Sequence, residues 1–371
     1  MKVIVVNAFS AKIGGGVTYI KWLIEYIPNN IDIRVYIFCA DNKFYTTDSR
    51  VTFCKTLFPT NNPIFRLFWE FFFLPFFLFR VKADILFCPG GTVNTIVFGK
   101  CKVVTMFRNM LPFDMPSADQ YSNFRLRFKN YLLRKSMLRS MSSVDLVIFI
   151  SDYAWLLIEN KIRLNSAITI YHGVNPRFKA ATCAQSFPLP FSGNYILYVS
   201  RFEPYKRHIQ LVSAYSLLSS EQRSKYKLLF VGGGEGIART EVNNFISNNN
   251  LENEVFILEE IPHESLKSIY HRASLFAFMS SCENCPNILI EAMASSLPII
   301  CSNRMPMPEF GLDSVYYVNS DSVIDIKDAL EKLICDASLR NGLAQKASNR
   351  SNMFDWQLTI SKTWLEMLSL V

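Results

Sequence analysis

The chain has 371 residues, half of them hydrophobic, with 31 Phe and 16 Tyr against 14 Gly and 16 Pro, which supports two domains with separate cores and excludes disordered and fibrous classes. The net charge of +8 is uneven: residues 1–180 hold 23 Lys+Arg and 11 Asp+Glu, a balance of +12, and the rest hold 16 and 20, a balance of −4. A basic front half calls for an anionic partner, whether membrane lipid, polyphosphate lipid or nucleic acid.

In chain order, "KVIVVNAF" is a β-branched run predicted as a strand, "SAKIGGG" a glycine turn and "VTYIKWLIEYI" a helix, followed by the strand "IDIRVYIFCA". The first strand begins at once, without the pattern of a secretory leader. Nine scattered cysteines include one Cys-x-x-Cys pair, Cys282 and Cys285, and fit reduced thiols in a cytosolic protein better than a four-ligand zinc site. Residues 64–79, "IFRLFWEFFFLPFFLF", form the most apolar stretch. At 16 residues, interrupted by Arg66, Glu70 and Pro75, it falls short of the roughly 20 that a spanning helix needs. It reads as a helix buried against a sheet, with a contact in the plane of a membrane as the sharper alternative.

"ADILFCPGG", "CKVVTMF" and "VDLVIFIS" are further short apolar runs ending in turns. Between the last two, residues 121–141 hold six basic residues in a helical run. Phe124, Phe128 and Tyr131 share one side, with Leu126, Leu133 and Met137 nearly opposite. The cations do not gather on one face as an in-plane membrane helix requires, so a partly buried helix lending positive charge to a cleft is the reading taken.

Around residues 181–194 the apolar rhythm lapses into Pro, Ser and Gly, which marks a linker. The alternation then restarts with "YILYVSR", a helix in "HIQLVSAYSLL", "KLLFVGGG", a helix near 237–248, "NEVFIL", a helix near 264–272, "SLFAFMS", a helix over 287–296 and "LPIICS". Strands alternating with helices predict mainly parallel sheets covered on both faces. The expected class is therefore α/β, with two Rossmann-like doubly wound domains: 1–180, and 195–355 beyond the linker. "WQLTISKTWLEMLSL" reads as one closing amphipathic helix over 356–371.

The chemistry concentrates in the rear half. "SSCENCPNILIEAMASSLPIICS", residues 280–302, places Glu283 on a loop and Glu291 on the helix that follows. Asn287 suits an N-cap, which would set Glu291 in the first turn, pointing back toward the loop that carries Glu283. A carboxylate accepts two hydrogen bonds from a vicinal diol, and the amides of a helix start favour an anion. Two carboxylates beside such a helix end describe a nucleotide-sugar, although the spacing alone also fits two unrelated glutamates. In "YVSRFEPYKRH", Arg201 and Lys206 follow the first rear strand, at the end where open α/β sheets bind ligands. Two cations there would neutralise a diphosphate and stabilise it as a leaving group; a solvated basic turn is the plainer alternative. Gly14, Gly15 and Gly16 let a ligand approach the backbone, but Tyr19 stands where a dinucleotide fingerprint wants its third glycine. "VGGGEG" (231–236) fails likewise at Ile237, which makes a nicotinamide enzyme a poor reading. The chain has no Asp-x-Asp, the usual grip on a diphosphate-bound metal.

Glu283-x7-Glu291, "RFEPYKR", "VGGGEG", the front glycine turn and "YHGVN" (171–175) occur in the order seen in retaining GT-B glycosyltransferases. The chain specifically resembles glycosyltransferase family 4, which holds many bacterial mannosyl- and glucosyltransferases. The likeness covers nearly the whole chain and is strongest over 195–311. It implies two domains facing a central cleft and a last helix crossing back to the first domain. It also implies a metal-independent hexosyltransferase that retains anomeric configuration, with no cofactor beyond a nucleoside diphosphate sugar, GDP-mannose being taken first.

By resemblance, Arg201 and Lys206 hold the donor diphosphate, Glu291 the ribose and Glu283 the transferred sugar. Amides of Asn284, Cys285, Ile288 and Leu289 line sugar and phosphate. Ile261 meets the base, and Gly15 and Gly16 approach the phosphate. Arg108 and Asn109 stand where many relatives carry a His-Asp pair near the reacting carbon. They join His172 as acceptor-side candidates, His172 read as loop-stabilising ahead of catalytic. The implied acceptor is a bacterial surface glycan such as an O-antigen or capsule unit on a polyprenyl diphosphate. The implied location is the cytoplasm, extending to the inner face of the membrane, with an anionic surface and no nucleic acid as partner. A catalytically silent nucleotide-sugar-binding partner of another transferase and a soluble α-glucan synthase are the alternatives carried.

Overall fold

The computed structural model describes residues 1–371 apart from 12–13, 40–43, 57, 115–123, 180–186 and 260. The start of the expected linker, 181–186, and the first residues of the basic run, 121–123, lie outside the described residues. The chain divides into two compact units. One holds Met1–Phe113, Asn123–Gly173 and Trp356–Val371; the body of the other is Val174–Asp355.

The first unit runs β1 (Lys2–Asn7), α1 (Gly15–Glu25), β2 (Ile33–Phe38), β3 (Val51–Cys54), α2 (Pro63–Arg80), β4 (Ile85–Cys88), β5 (Lys102–Phe107), α3 (Phe124–Ser143), β6 (Leu146–Phe149), α4 (Asp152–Glu159) and β7 (Ala167–Thr169). Its described strands form one parallel sheet in the order β3-β2-β1-β4-β5-β6-β7, with Ile4 opposite Val35 on one side and Ile85 on the other. Strands such as "KVIVVN" and "ILFC" are apolar throughout because helices cover both faces. The order reverses between β1 and β4, so the loops after these two strands emerge side by side. They meet closely: a Cβ on Gly90 would lie 2.3 Å from Ser10 Oγ.

The second unit runs β8 (Asn194–Val199), α5 (His208–Ser216), α6 (Ser220–Lys225), β9 (Tyr226–Val231), α7 (Ile237–Asn248), β10 (Val255–Leu258), α8 (His263–Arg272), β11 (Leu275–Phe278), α9 (Asn287–Ala294), β12 (Ile299–Ser302), α10 (Met307–Gly311), β13 (Tyr316–Val318), α11 (Val323–Cys335) and α12 (Ala337–Ser351). Its sheet is also parallel, ordered β10-β9-β8-β11-β12-β13, with the reversal between β8 and β11. The last helix, α13 (Trp356–Leu368), packs in the first unit. There Trp364 Nε1 donates to Leu23 O at 3.2 Å, and Tyr19 Oη and Thr363 Oγ1 lie 3.1 Å apart.

Two local expectations need correction. Helix α2 forms as predicted, but only one of its faces is buried: Trp69, Leu74 and Leu78 pack on Val5, Phe9, Phe38 and Leu86. Its outer face stays exposed, so burial against the sheet accounts for only a minority of its apolar residues. Second, the cap of α9 differs from the one expected. Pro286 holds the cap position, Asn287 is the first helical residue and makes no side-chain cap. Glu291 therefore stands in the second turn, and the helix ends at Ala294.

Candidate active site

In the second unit the loops after β8 and β11 leave neighbouring strands where the strand order reverses, the position at which open α/β sheets bind ligands. Residues 200–207 form the first of these loops and 279–286 the second. They are stitched together at Tyr205, whose carbonyl accepts from Ser281 N at 2.8 Å and from Ser281 Oγ at 3.1 Å. Lys206 closes a single 3-10 turn, Pro204–Lys206, and Tyr198 Oη donates to its carbonyl at 2.6 Å. The ammonium of Lys206 then pairs with the carboxylate of Glu283, 77 positions later.

This pair is held in apolar surroundings. Lys206 is 8% exposed, and its Nζ lies 5.3 Å from the ring centre of Tyr205 and 5.8 Å from that of Phe278. Burial, with Glu283 next in weight, pushes the Tyr198 and Tyr205 phenols well above their ordinary range, so both remain neutral hydroxyls. Burial likewise pushes up the thiol of Cys282. Arg201, at the start of the first loop, is exposed.

"VGGGEG" has a structural explanation in the same place. Phe202 N donates to Gly233 O at 3.0 Å, so the loops after β8 and β9 run against each other backbone to backbone. Gly232 has φ +144°, and a Cβ there would come 2.2 Å from Ser200 O. The glycine run thus lets the Arg201 loop sit where it does. Arg239 of α7 caps this contact, its guanidinium 4.6 Å from the Phe202 ring and paired with Glu259 at 2.7 Å. Ile261, beyond β10, is half-buried.

On α9, Glu291 is half-buried, and Tyr270 Oη donates to its Oε2 at 3.3 Å. Tyr270, in the last turn of α8, is fully buried, with Phe178 at 5.3 Å edge-on and Phe276 stacked at 5.4 Å. Asn284 is buried, and Cys285 Sγ lies 3.6 Å from Asn287 Oδ1, which tightens the turn into the helix. Leu289 faces the core and Ile288 is half-buried, so from Leu289 only the backbone is available to a ligand. Tyr270, Tyr205 and Ser281 carried no signal in the sequence, because each acts through hydrogen bonds to a residue remote in the chain.

In the first unit, Gly16, Arg108 and His172 converge on Tyr19. A Cβ on Gly16 would lie 3.3 Å from Arg108 Nη1, and the Arg108 guanidinium stands 5.9 Å from the Tyr19 ring centre. His172 is 2% exposed, its ring 5.6 Å from Tyr19 and 5.2 Å from Trp356. That is the environment of a packing residue. Gly14 caps α1 at φ +60°, and Gly15 opens the helix. Asn109 is exposed and accepts from Leu111 N at 3.2 Å.

Residues 184–350 match the family model described as Glycosyl transferases group 1. The O-antigen chain mannosyltransferase B of Escherichia coli is 25% identical over 273 residues, covering 71% of this chain and 69% of that protein. A Campylobacter jejuni enzyme, N-acetylgalactosamine-N,N'-diacetylbacillosaminyl-diphospho-undecaprenol 4-alpha-N-acetylgalactosaminyltransferase, is 29% identical over 43% of either chain, so the similarity spans less than half of that relative. Among solved structures, sucrose-phosphate synthase from Thermosynechococcus elongatus aligns with a TM-score of 0.78 at 16% identity, over 100% of this chain and 99% of that one. Anabaena HepE in complex with UDP and glucose aligns with a TM-score of 0.73 at 15% identity, over 100% of both chains. These two likenesses establish the fold as GT-B.

Proposed function

We propose that the chain, which has the GT-B fold, is a glycosyltransferase of the family-4-like type that moves a hexose from a nucleoside diphosphate sugar to a hydroxyl of a bacterial surface glycan, with retention at the anomeric carbon. The observation that carries this reading is the Lys206–Glu283 pair at the strand-order reversal, with Arg201 on the same loop. One partner supplies positive charge for a diphosphate, the other a carboxylate for sugar hydroxyls. Both are preorganised by Tyr198, Tyr205 and Ser281 before any ligand arrives.

In this reading Arg201 and Lys206 stabilise the charge that builds on the diphosphate as the bond to the anomeric carbon breaks. The acceptor oxygen forms its bond on the same face, and a phosphate oxygen of the departing diphosphate takes the acceptor proton. No dedicated base is assigned. Glu283 orients the sugar, and Glu291, held by Tyr270, takes the ribose hydroxyls. Amides of Asn284, Cys285, Ile288 and Leu289 line the sugar and phosphates, and Ile261 meets the base. The diphosphate needs no metal where two cations neutralise it. Mannose is proposed first, after the Escherichia coli relative, with a lipid-linked glycan as acceptor.

The test is a thermal-shift panel of GDP-, UDP-, dTDP- and ADP-sugars, followed by turnover with the stabilising donor, in chelator, for wild type, Arg201→Ala and Glu291→Ala. Selective stabilisation by one donor and loss of turnover in both variants supports the site. Wild-type rates in both variants would show that the site is misplaced.

A further inference from the structure

The exposed face of α2 is an extended apolar feature that sugar transfer leaves unused. Ile64 is 77% exposed, Phe72 57%, Phe76 66% and Phe79 73%, and Phe65 and Phe68 are open as well. From residue 64 to 79 this stripe extends about 22 Å along the helix. Trp69, Leu74 and Leu78 on the opposite side fix which face looks outward.

Two neighbours extend the surface. β3 to β4 and β5 to β6 step the same way across the sheet, while β1 to β2 steps the other way. Right-handed crossovers therefore place α2 and α3 together on the face opposite α1. The β4–β5 loop ties them: Asn94 Nδ2 donates to Glu70 Oε2 on α2 at 2.8 Å, and Ser136 Oγ on α3 lies 3.5 Å from Asn94 Oδ1. Val93 N also donates to Ser140 Oγ on α3 at 2.9 Å. The loop exposes Ile96 at 48% and Phe98 at 62%, and the first turns of α3 expose Phe124 and Phe128.

Charge identifies the occupant. Helix α2, residues 89–101 and α3 hold nine Lys+Arg and one acid, and that acid, Glu70, is 5% exposed. A second copy docking there would bring these cationic segments against their own copies. An anionic lipid surface neutralises them and accepts the phenylalanines beneath the headgroups. We propose that this face of the first unit inserts in the plane of an anionic bilayer, α2 supplying the apolar wedge and α3 the cationic rim. This division of labour explains why the cations of α3 need not gather on one face: α3 is not the inserted helix.

The experiment uses the full chain and vesicles of phosphatidylcholine with or without phosphatidylglycerol, free of glycan and donor, so its result is independent of the transfer reading. Sedimentation is measured at about 0.1 M and about 0.5 M salt. The expected result is binding to the phosphatidylglycerol vesicles that weakens with salt yet persists at the higher concentration. Phe68→Ser/Phe72→Ser/Phe76→Ser should lose affinity about tenfold or more at both concentrations, since burial of apolar area is insensitive to screening. Arg125→Ser/Arg127→Ser/Lys129→Ser should lose about a hundredfold at low salt and little at high salt. Unchanged melting and nucleotide binding would show each variant folded. Absence of wild-type binding, or binding indifferent to the Phe variant, would overturn the proposal. So would a wild-type dimer that the Phe variant converts to a monomer, which assigns the face to a second copy.

Discussion

Replacing Glu283 by Gln should separate binding of the diphosphate from transfer of the sugar. In the free protein the Lys206 ammonium is already engaged by the Glu283 carboxylate. A phosphate oxygen bonded to the open side of that ammonium would sit roughly 5 Å from the carboxylate. Two unit charges at that distance repel by about 3 kcal/mol at an effective dielectric of about 20 and by about 1 kcal/mol in bulk water. Both side chains are largely but not wholly buried, at 11% and 15% exposed, so a value near 1.5 kcal/mol is taken, about tenfold in affinity. Glu283→Gln should therefore bind the nucleoside diphosphate about tenfold more tightly than wild type while its kcat falls by about a hundredfold. Lys206→Met should lose both. Calorimetric titration with GDP and UDP, beside single-turnover rates with the donor, gives the two numbers separately. Nucleotide binding that is unchanged or weaker in Glu283→Gln would remove Lys206 from the diphosphate and refute the reasoning.

Glu70 and His208 provide two further tests. Glu70 accepts from Asn7 Nδ2 at 2.9 Å and from Asn94 Nδ2 at 2.8 Å, with Arg66 at 3.7 Å, so Glu70→Ala strands buried amides and should cost about 3 kcal/mol, a fall in Tm of about 10 °C by calorimetry; a shift below about 2 °C would show the network adds nothing. His208 is stacked on Phe202 at 4.2 Å, and burial first, then Lys206, lowers its pKa to about 3. The unfolded chain takes up this proton near pH 6.5 and the native state only near 3, so stability is lost as pH falls between those values. Denaturant titrations should find wild type losing about 2 kcal/mol more than His208→Phe from pH 6.5 to pH 5, and parallel curves would contradict the neutral buried imidazole.

The placement of the candidate residues was legible where they lie in short stretches whose local pattern already names their positions. "YVSRFEPYKRH" is a strand followed by a basic turn, and that is enough to put Arg201 and Lys206 at the carboxyl end of β8. The helix after Glu283 was equally visible, but its cap was not. Asn287 is a strong N-cap by type, yet Pro286 takes that position, and Glu291 moves from the first turn to the second. Residues 64–79 were readable as a helix too short to span a membrane, whereas which of their phenylalanines are covered depends on how β1, β2 and β4 pack beneath them.

The alternating apolar runs, read alone, determined two parallel α/β halves, the order of their elements and the stretches that bear charge, because hydrophobic period and turn chemistry act over a few neighbouring residues. Tertiary structure alone decided which of those stretches meet. The reversal of strand order sets β8 beside β11 and so joins Lys206 to Glu283, while Tyr270 reaches Glu291 from another helix. Such pairings are fixed by which strands share hydrogen bonds and by the hand of the crossovers, and no local window of the chain contains that information.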